Sequence, residues 1–156
     1  MQIDSALDAG PSALPDVHVE RVGMERYADV QRLNRRIFGD DRVIFRLDRR
    51  DLVFLLAFVE GEPAGFKVGY AESEATFYSA KGGVLEPHRR RGIARLLLRR
   101  LLEEARAMGY KRFAYDTFPN KHPGMTVMGL AEGFRVTAAG YNAAYRDYRI
   151  RFECRL

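Results

Sequence analysis

The stretch GGVLEPHRRRGIARLLLRRLLEEA at residues 82–105 decides how the chain folds. Its glycine-rich start ends a predicted strand over residues 76–85, and a long helix is predicted over residues 93–108. Apolar residues fill one half of that helix at three- and four-residue intervals, while arginines and glutamates fill most of the other half. Gly92 stands at the junction, where a residue without a side chain lets the backbone approach a ligand closely. The sequence therefore predicts a strand, a short turn and an amphipathic helix in succession.

Further strands and helices are predicted on both sides of this unit. They comprise strands at 17–22, 52–59, 64–71, 111–118, 134–138 and 146–156, and helices at 24–38 and 123–132. The charged segment 40–51 is predicted to be a short helix or a mobile loop, and residues 1–16 a flexible N-terminal tail. This order predicts an α/β (α+β) domain over residues 17–156. Its sheet is expected to be mixed, mostly antiparallel and six- to seven-stranded, flanked by about four helices.

Length and composition restrict the chain to a few classes of protein. The 156 residues, 47% hydrophobic and 30% charged, are typical of one globular domain and argue against disorder. The longest apolar run, residues 52–59, is too short to span a membrane, and the N-terminus lacks the regions of a signal peptide. Cys154 is the only cysteine, and the three histidines lack metal-ligand spacing. We expect a cytoplasmic protein with no membrane partner, no disulfide and no bound metal.

The turn before the long helix has the features of an anion site. Backbone N–H groups in the first turn of a helix lack intrahelical partners and lie at the positive end of the helix dipole. Small Ala94 leaves that turn unobstructed, and Arg89, Arg90 and Arg91 add positive charge. The spacing fits neither GxxxxGK[ST] nor GxGxxG, which excludes a Walker-type loop and a dinucleotide fingerprint. The sequence thus predicts a site for a phosphate or pyrophosphate group.

The net charge of +5 permits a second interpretation of the same arginines. A basic surface attracts nucleic acid as well as phosphorylated small molecules. However, Arg99 and Arg100 stand four residues before Glu103 and Glu104, at the spacing of ion pairs along a helix. No motif that reads nucleic acid is present. Nucleic acid is therefore not the expected partner, and a basic nucleic-acid-binding module is kept as an alternative.

The sequence Arg89-Arg90-Arg91-Gly92-Ile93-Ala94 resembles the pyrophosphate loop of the GNAT N-acetyltransferases, [RQ]-x-x-G-x-[GA]. The likeness includes Val84 before the loop and the amphipathic helix after it. Asn120, followed by Met125 and by Gly133-Phe134, resembles a second signature of that family. Together these features span nearly the whole predicted domain.

The resemblance implies an acetyl-CoA-dependent N-acetyltransferase with a GNAT-like fold. In that family the loop amides hold the pyrophosphate of acetyl-CoA, and a strand end pairs with the pantetheine amides. A primary amine, here of an unidentified small molecule or peptide, attacks the thioester directly. Family members are often homodimers, and an inert acetyl-CoA-binding protein is a further alternative. The implied acetyl-CoA contacts are Val84, Leu85, Arg89, Arg90, Arg91, Gly92, Ile93, Ala94, Arg95 and Asn120.

The group that protonates the leaving thiolate is not evident from the sequence. Many members of the family carry a tyrosine for this purpose, four residues before the glycine of the Gly-Phe pair. Gly129 stands at that position here. Tyr141 and Tyr145, in the predicted loop between the last two strands, are the candidate replacements.

The general base is equally open. A primary amine arrives largely as an ammonium ion and must lose a proton before it attacks. Glu86 beside the loop, Asp116 on a predicted strand and His122 after Asn120 are the candidates, and no sequence neighbour singles one of them out. Acceptor specificity is expected in segments 39–51 and 138–146. Several aspartates in the first of these would suit a cationic acceptor.

Overall fold

The computed structural model describes residues 16–156, which form one mixed sheet with helices on both faces. The predicted flexible tail, residues 1–16, lies outside the described residues except for Asp16. The strands are β1 Val17–Val22, β2 Val53–Val59, β3 Glu62–Ala71, β4 Thr76–Val84, β5 Arg112–Thr117, β6 Arg135–Asn142 and β7 Asp147–Arg155. The α-helices are α1 Tyr27–Phe38, α2 Ile93–Ala107 and α3 Pro123–Ala131. Short 3-10 turns, Met24–Arg26 and Glu86–His88, precede α1 and α2.

The seven strands lie in the order β1-β2-β3-β4-β5-β7-β6. β4 and β5 are parallel, and every other neighbouring pair is antiparallel. A parallel pair needs a crossover connection, and α2 supplies it. The predicted α/β domain with a mixed, mostly antiparallel sheet is therefore confirmed.

One stretch follows one of two predicted alternatives, and another differs from the sequence prediction. Segment 40–51 forms bends held by local bonds, such as that of Asn34 Nδ2 to the Asp40 carbonyl at 2.8 Å. The described chain accordingly has three α-helices, one fewer than predicted. β6 continues to Asn142, so Tyr141 lies in a strand and not in the predicted loop. β6 is an edge strand with almost every residue exposed, and such a strand shows no alternation of apolar and polar residues.

Each face of the sheet carries its own apolar core. Helices α2 and α3 cover one face, which we call the α2 face, with Leu97, Leu101 and Met128 among the buried residues. Helix α1 covers part of the other, the α1 face, with Val30 and Leu33. β2 is buried along its whole length because both faces are covered there. Its uninterrupted apolar sequence follows from this position.

Strands β4 and β5 stop pairing before either strand ends. The last paired residues are Ser79 and Tyr115, whereas β4 continues to Val84. Beside Ser79 the register of β3 against β4 shifts by one residue, and a bulge of this kind bends a strand. The unpaired stretches, residues 80–84 of β4 and 116–117 of β5, border an opening that we call the β4–β5 gap.

Candidate active site

The loop between β4 and α2 has the backbone geometry of an anion site. Arg90 and Gly92 both lie in the left-handed region, with φ angles of 64° and 80°. Leu96 N–H donates to the Gly92 carbonyl at 3.0 Å, which is the first hydrogen bond of the helix. The N–H groups of residues 90–95, before that bond, have no acceptor within residues 16–156. Neighbouring uncommitted donors at a helix N-terminus suit a phosphate or pyrophosphate.

The arginines around these donors differ in their contacts. Arg89 Nε donates to the Val84 carbonyl at 2.9 Å and holds the loop against the end of β4. Arg95 Nε lies 3.3 Å from the carboxylate of Glu132, the C-cap residue of α3. Arg90 and Arg91 are exposed and form no ion pair in the part of the chain that the structure describes. They leave an uncompensated positive charge beside these uncommitted N–H donors.

The other predicted acetyl-CoA contacts near the loop offer mainly their backbone. Ile93 is buried in the core of the α2 face, whereas Ala94 is exposed and leaves the first turn open. Val84 and Leu85 are buried in the two opposite cores. Leu85 N–H donates to the Ala64 carbonyl at 2.8 Å and is committed to the sheet.

Asn120 and two of the base candidates lie on the surface. Asn120 Nδ2 donates to Asp147 Oδ1 at 3.0 Å, which joins the segment after β5 to the start of β7. This bond holds the pKa of Asp147 below its ordinary value. Glu86 is exposed in the 3-10 turn before the loop, and His122 is exposed at the start of α3. Neither side chain hydrogen-bonds to another residue within 16–156.

Asp116 is the base candidate that lies in a cleft. It is the first residue of β5 beyond the pairing with β4, and Tyr78 Oη donates to its Oδ2 at 2.5 Å. Burial and this hydrogen bond raise the pKa of Tyr78 well above its ordinary range. The hydroxyl therefore stays protonated and remains a donor to Asp116. Nothing in the sequence singles out Tyr78, since the two residues are 38 positions apart.

The cleft around Asp116 has a volume of about 260 Å³ and is formed by β5, β7 and β6. Arg151 in the cleft donates to Glu72 and Glu153, each at 2.9 Å, and these bonds hold its pKa above the ordinary value. Arg149 has no acidic partner among residues 16–156. The cleft thus offers one carboxylate and one unpaired guanidinium to a bound molecule.

The two candidate tyrosines lie in different surroundings. Tyr141 lines the cleft with Asp116 and packs edge-on against Tyr148, with ring centroids 5.3 Å apart. Tyr145 lies in the turn between β6 and β7 and packs against Phe118 at 5.0 Å. Both are more than half exposed. The structure therefore brings Tyr141 and Asp116 together and leaves Tyr145 outside the cleft.

Gly129 is buried in α3, and the space beside it is filled by another tyrosine. A Cβ at residue 129 would overlap the hydroxyl of Tyr115. That hydroxyl donates to the Met125 carbonyl at 2.8 Å, and burial raises its pKa well above the ordinary range. No larger side chain fits at position 129 unless Tyr115 moves.

Comparisons with known proteins agree with this fold. Residues 18–126 match the sequence model of the Acetyltransferase (GNAT) family. An IAA acetyltransferase from Bacillus cereus is 19% identical with a TM-score of 0.77, over 90% of this chain and all of the other. The ribosomal-protein-S18-alanine N-acetyltransferase of Escherichia coli is 12% identical with a TM-score of 0.74, over 90% and 94%.

A third similar structure was solved with its cofactor acetyl-CoA. It is yncA, a putative acetyltransferase from Salmonella typhimurium, 16% identical with a TM-score of 0.71, over 90% of this chain and 94% of that one. No curated protein sequence matches the chain. The family match covers well over half of the sequence, and the chain belongs to the GNAT acetyltransferase family.

Two further properties concern only the described residues. Within 16–156 no three or more His, Cys, Asp or Glu side chains are grouped so that they could hold a metal ion. Among the helices of the same part, none combines the length and apolar character needed to cross a membrane.

Proposed function

We propose that the chain transfers an acetyl group from acetyl-CoA to a primary amine by direct attack. The observation that carries the proposal is the row of uncommitted N–H donors at residues 90–95, beside the β4–β5 gap. The pyrophosphate of acetyl-CoA would accept from these donors, with Arg90 and Arg91 compensating its charge. The acetyl-CoA found in the similar Salmonella structure supports this assignment.

The unpaired end of β4 is the proposed partner of the pantetheine arm. An extended ligand with amide groups adds to a free strand edge in the manner of a β-strand. The carbonyl of Val84 and the backbone of Gly82 belong to this edge, and Asn120 lies at the end of the segment after β5. The arm would place the thioester in the gap, next to Asp116.

Asp116 is the proposed base. An amine in the cleft would pass a proton to the Asp116 carboxylate, and its nitrogen would then attack the thioester carbon. The Tyr78 hydroxyl holds the carboxylate in one orientation through the 2.5 Å hydrogen bond. Tyr141 lines the same cleft and is proposed to contact the acceptor.

Calorimetric titration with acetyl-CoA tests the loop. Gly92→Leu places a side chain where φ is 80° and where the ligand would approach, so binding should be lost. Gly109→Leu is the matched control, because Gly109 follows the other end of α2 with a φ of 91° and equally open surroundings. Equal affinity in wild type and Gly92→Leu would refute the proposal. Equal loss in both variants would trace the effect to backbone strain and count against it too.

The nucleic-acid alternative loses support from the ion pairs of α2. Arg99 donates to Glu132 at 2.9 Å, and Arg100 donates to Glu104 at 3.0 Å. Glu104 also accepts from Arg21 at 2.8 Å. Guanidinium groups held by carboxylates in this way contribute little to phosphate binding. An oligonucleotide titrated alongside acetyl-CoA should give no saturable binding at physiological salt.

A further inference from the structure

Lys67, in the middle of β3, is buried without a charged partner. It is 6% exposed, and no described residue forms an ion pair or a hydrogen bond with its side chain. Lysine is almost never buried unless it is paired, because removing an ammonium ion from water is unfavourable. Burial alone lowers the pKa of Lys67 to about 8. An apolar residue would serve packing better at this position, which indicates another role for the lysine.

The neighbours of Lys67 on its own strand let helix α2 come close. Gly65 and Gly69 flank it, and a Cβ on either residue would touch Leu97 or Leu101 of α2 at 3.4 Å or 3.0 Å. The helix therefore lies directly on the strand backbone on both sides of the lysine.

The side chain of Lys67 lies beside the part of β4 that borders the β4–β5 gap. Lys67 is opposite Gly82 in the register of β3 and β4, and a Cβ at residue 82 would lie 3.1 Å from Lys67 Cγ. The missing side chain at Gly82 leaves room for the lysine side chain against β4. Gly82 belongs to the unpaired part of β4 beyond Ser79, so no described strand lies on its far side.

We propose that Lys67 stabilises and protonates the thiolate that leaves when acetyl-CoA is consumed. This inference rests on the proposed function. As the acceptor nitrogen bonds to the acetyl carbon, the C–S bond breaks and its electron pair passes to sulfur. The Lys67 ammonium donates a proton to that sulfur, which gives CoA with a free thiol and a neutral lysine. Water then returns a proton to the lysine.

Two observations fit this role for Lys67. Position 129 carries no tyrosine and has no room for one, since the Tyr115 hydroxyl occupies that space. A general acid works best when its pKa is near that of its partner and near the working pH. The pKa of Lys67, about 8, is close to the ordinary pKa of a thiol, which is about 8.5 in cysteine.

Free CoA serves as the probe, because ionisation of its thiol is followed by the ultraviolet absorbance of the thiolate and needs no acceptor. In the wild-type complex the thiol should ionise at lower pH than in free CoA. In Lys67→Met and Lys67→Gln complexes it should ionise about one pH unit or more above the wild-type value, a tenfold change in the ionisation constant. Lys111→Met is the matched control. Lys111 is exposed just before β5, at the end of the β4 and β5 pairing opposite to the gap, and wild-type ionisation is expected.

Calorimetric titration of the same proteins with CoA and acetyl-CoA distinguishes failure of the proposed function from failure of the role of Lys67. If the folded wild-type protein binds neither molecule, the proposed function is wrong and the role of Lys67 is wrong with it. If every protein binds CoA but both Lys67 variants ionise the bound thiol at the wild-type pH, only the role of Lys67 is overturned. That role is likewise overturned if Lys111→Met shifts the ionisation of the thiol as far as Lys67→Met does.

Discussion

The Tyr78 hydroxyl donates to Asp116 Oδ2 at 2.5 Å, at the point where the backbone pairing of β4 and β5 ends. Beyond this contact the strands border the β4–β5 gap, so the hydrogen bond links the two strands at the edge of the gap. It fixes the carboxylate at the mouth of the cleft. Because the pKa of Tyr78 is raised well above its ordinary range, the bond persists through neutral and mildly alkaline pH.

Removing the hydroxyl should destabilise the fold measurably. In Tyr78→Phe the half-buried carboxylate of Asp116 loses its donor, and we expect the free energy of unfolding to fall by about 1–2 kcal/mol. Urea denaturation measures the change. Tyr70→Phe is the control, since the Tyr70 ring packs 5.8 Å from that of Tyr78 and its hydroxyl bonds to no described residue. A loss as large in Tyr70→Phe would show that the Tyr78 bond contributes nothing specific.

Asp116→Asn should abolish most turnover while leaving acetyl-CoA binding intact. A general base typically contributes about 10²–10⁴ in rate, so kcat with a primary amine should fall by at least about 100-fold. Glu86→Gln is the comparison, because Glu86 is an exposed turn residue without a partner among those described, and it should stay within about threefold of wild type. Thiol release gives both rates, with an amine chosen by a screen. If Glu86→Gln lost more turnover than Asp116→Asn, the general base would be Glu86 beside the loop.

Local sequence predicted the proposed acetyl-CoA loop because all of its parts lie together in the chain. The end of β4, the turn and the start of α2 fall within residues 82–105, and a strand, a glycine and an amphipathic helix are visible without knowledge of any distant contact. The same locality explains why most predicted strands and helices agree with the structure to within a few residues.

The cleft could not be predicted in this way because long-range pairing creates it. Tyr78 and Asp116 meet only because β4 and β5 are parallel neighbours joined by a crossover helix. The predicted end of β6 is wrong because an exposed edge strand carries no hydrophobic period. Lys67 has no sequence signal for a related reason. A single lysine between apolar residues is typical of a side chain that faces solvent, and only the structure shows that Lys67 is buried.

The contact between Gly129 and Tyr115 predicts a coupled pair. Gly129→Ala forces its methyl group onto the Tyr115 hydroxyl, and we expect the free energy of unfolding to fall by about 1–3 kcal/mol. In a Tyr115→Phe background the same substitution should cost clearly less, because the overlapping oxygen is absent. A double-mutant cycle by urea denaturation measures the difference. Strictly additive effects would contradict the close contact.

Because of Lys67, the free energy of unfolding should increase as the pH rises. Its pKa is about 8 in the folded chain and about 10.5 when unfolded, so folding expels a proton from the lysine between these values. Below pH 8 the lysine is charged in both states, and the folded state bears the full penalty of the buried charge. Stability should therefore increase between about pH 8 and 10.5, and Lys67→Met should flatten this increase.

At neutral pH, Lys67→Met should be more stable than wild type, by on the order of 3 kcal/mol for a pKa difference of this size. Urea denaturation at neutral and alkaline pH measures both effects. Lys81→Met should change stability less. In the wild type, Lys81 is only half-buried, and its ammonium group donates a hydrogen bond to the Arg42 carbonyl. A protein that gains stability while its bound CoA thiol becomes harder to ionise would show that the lysine opposes folding and serves chemistry. Loss of stability in Lys67→Met would instead mean that the ammonium group is favourable where it lies.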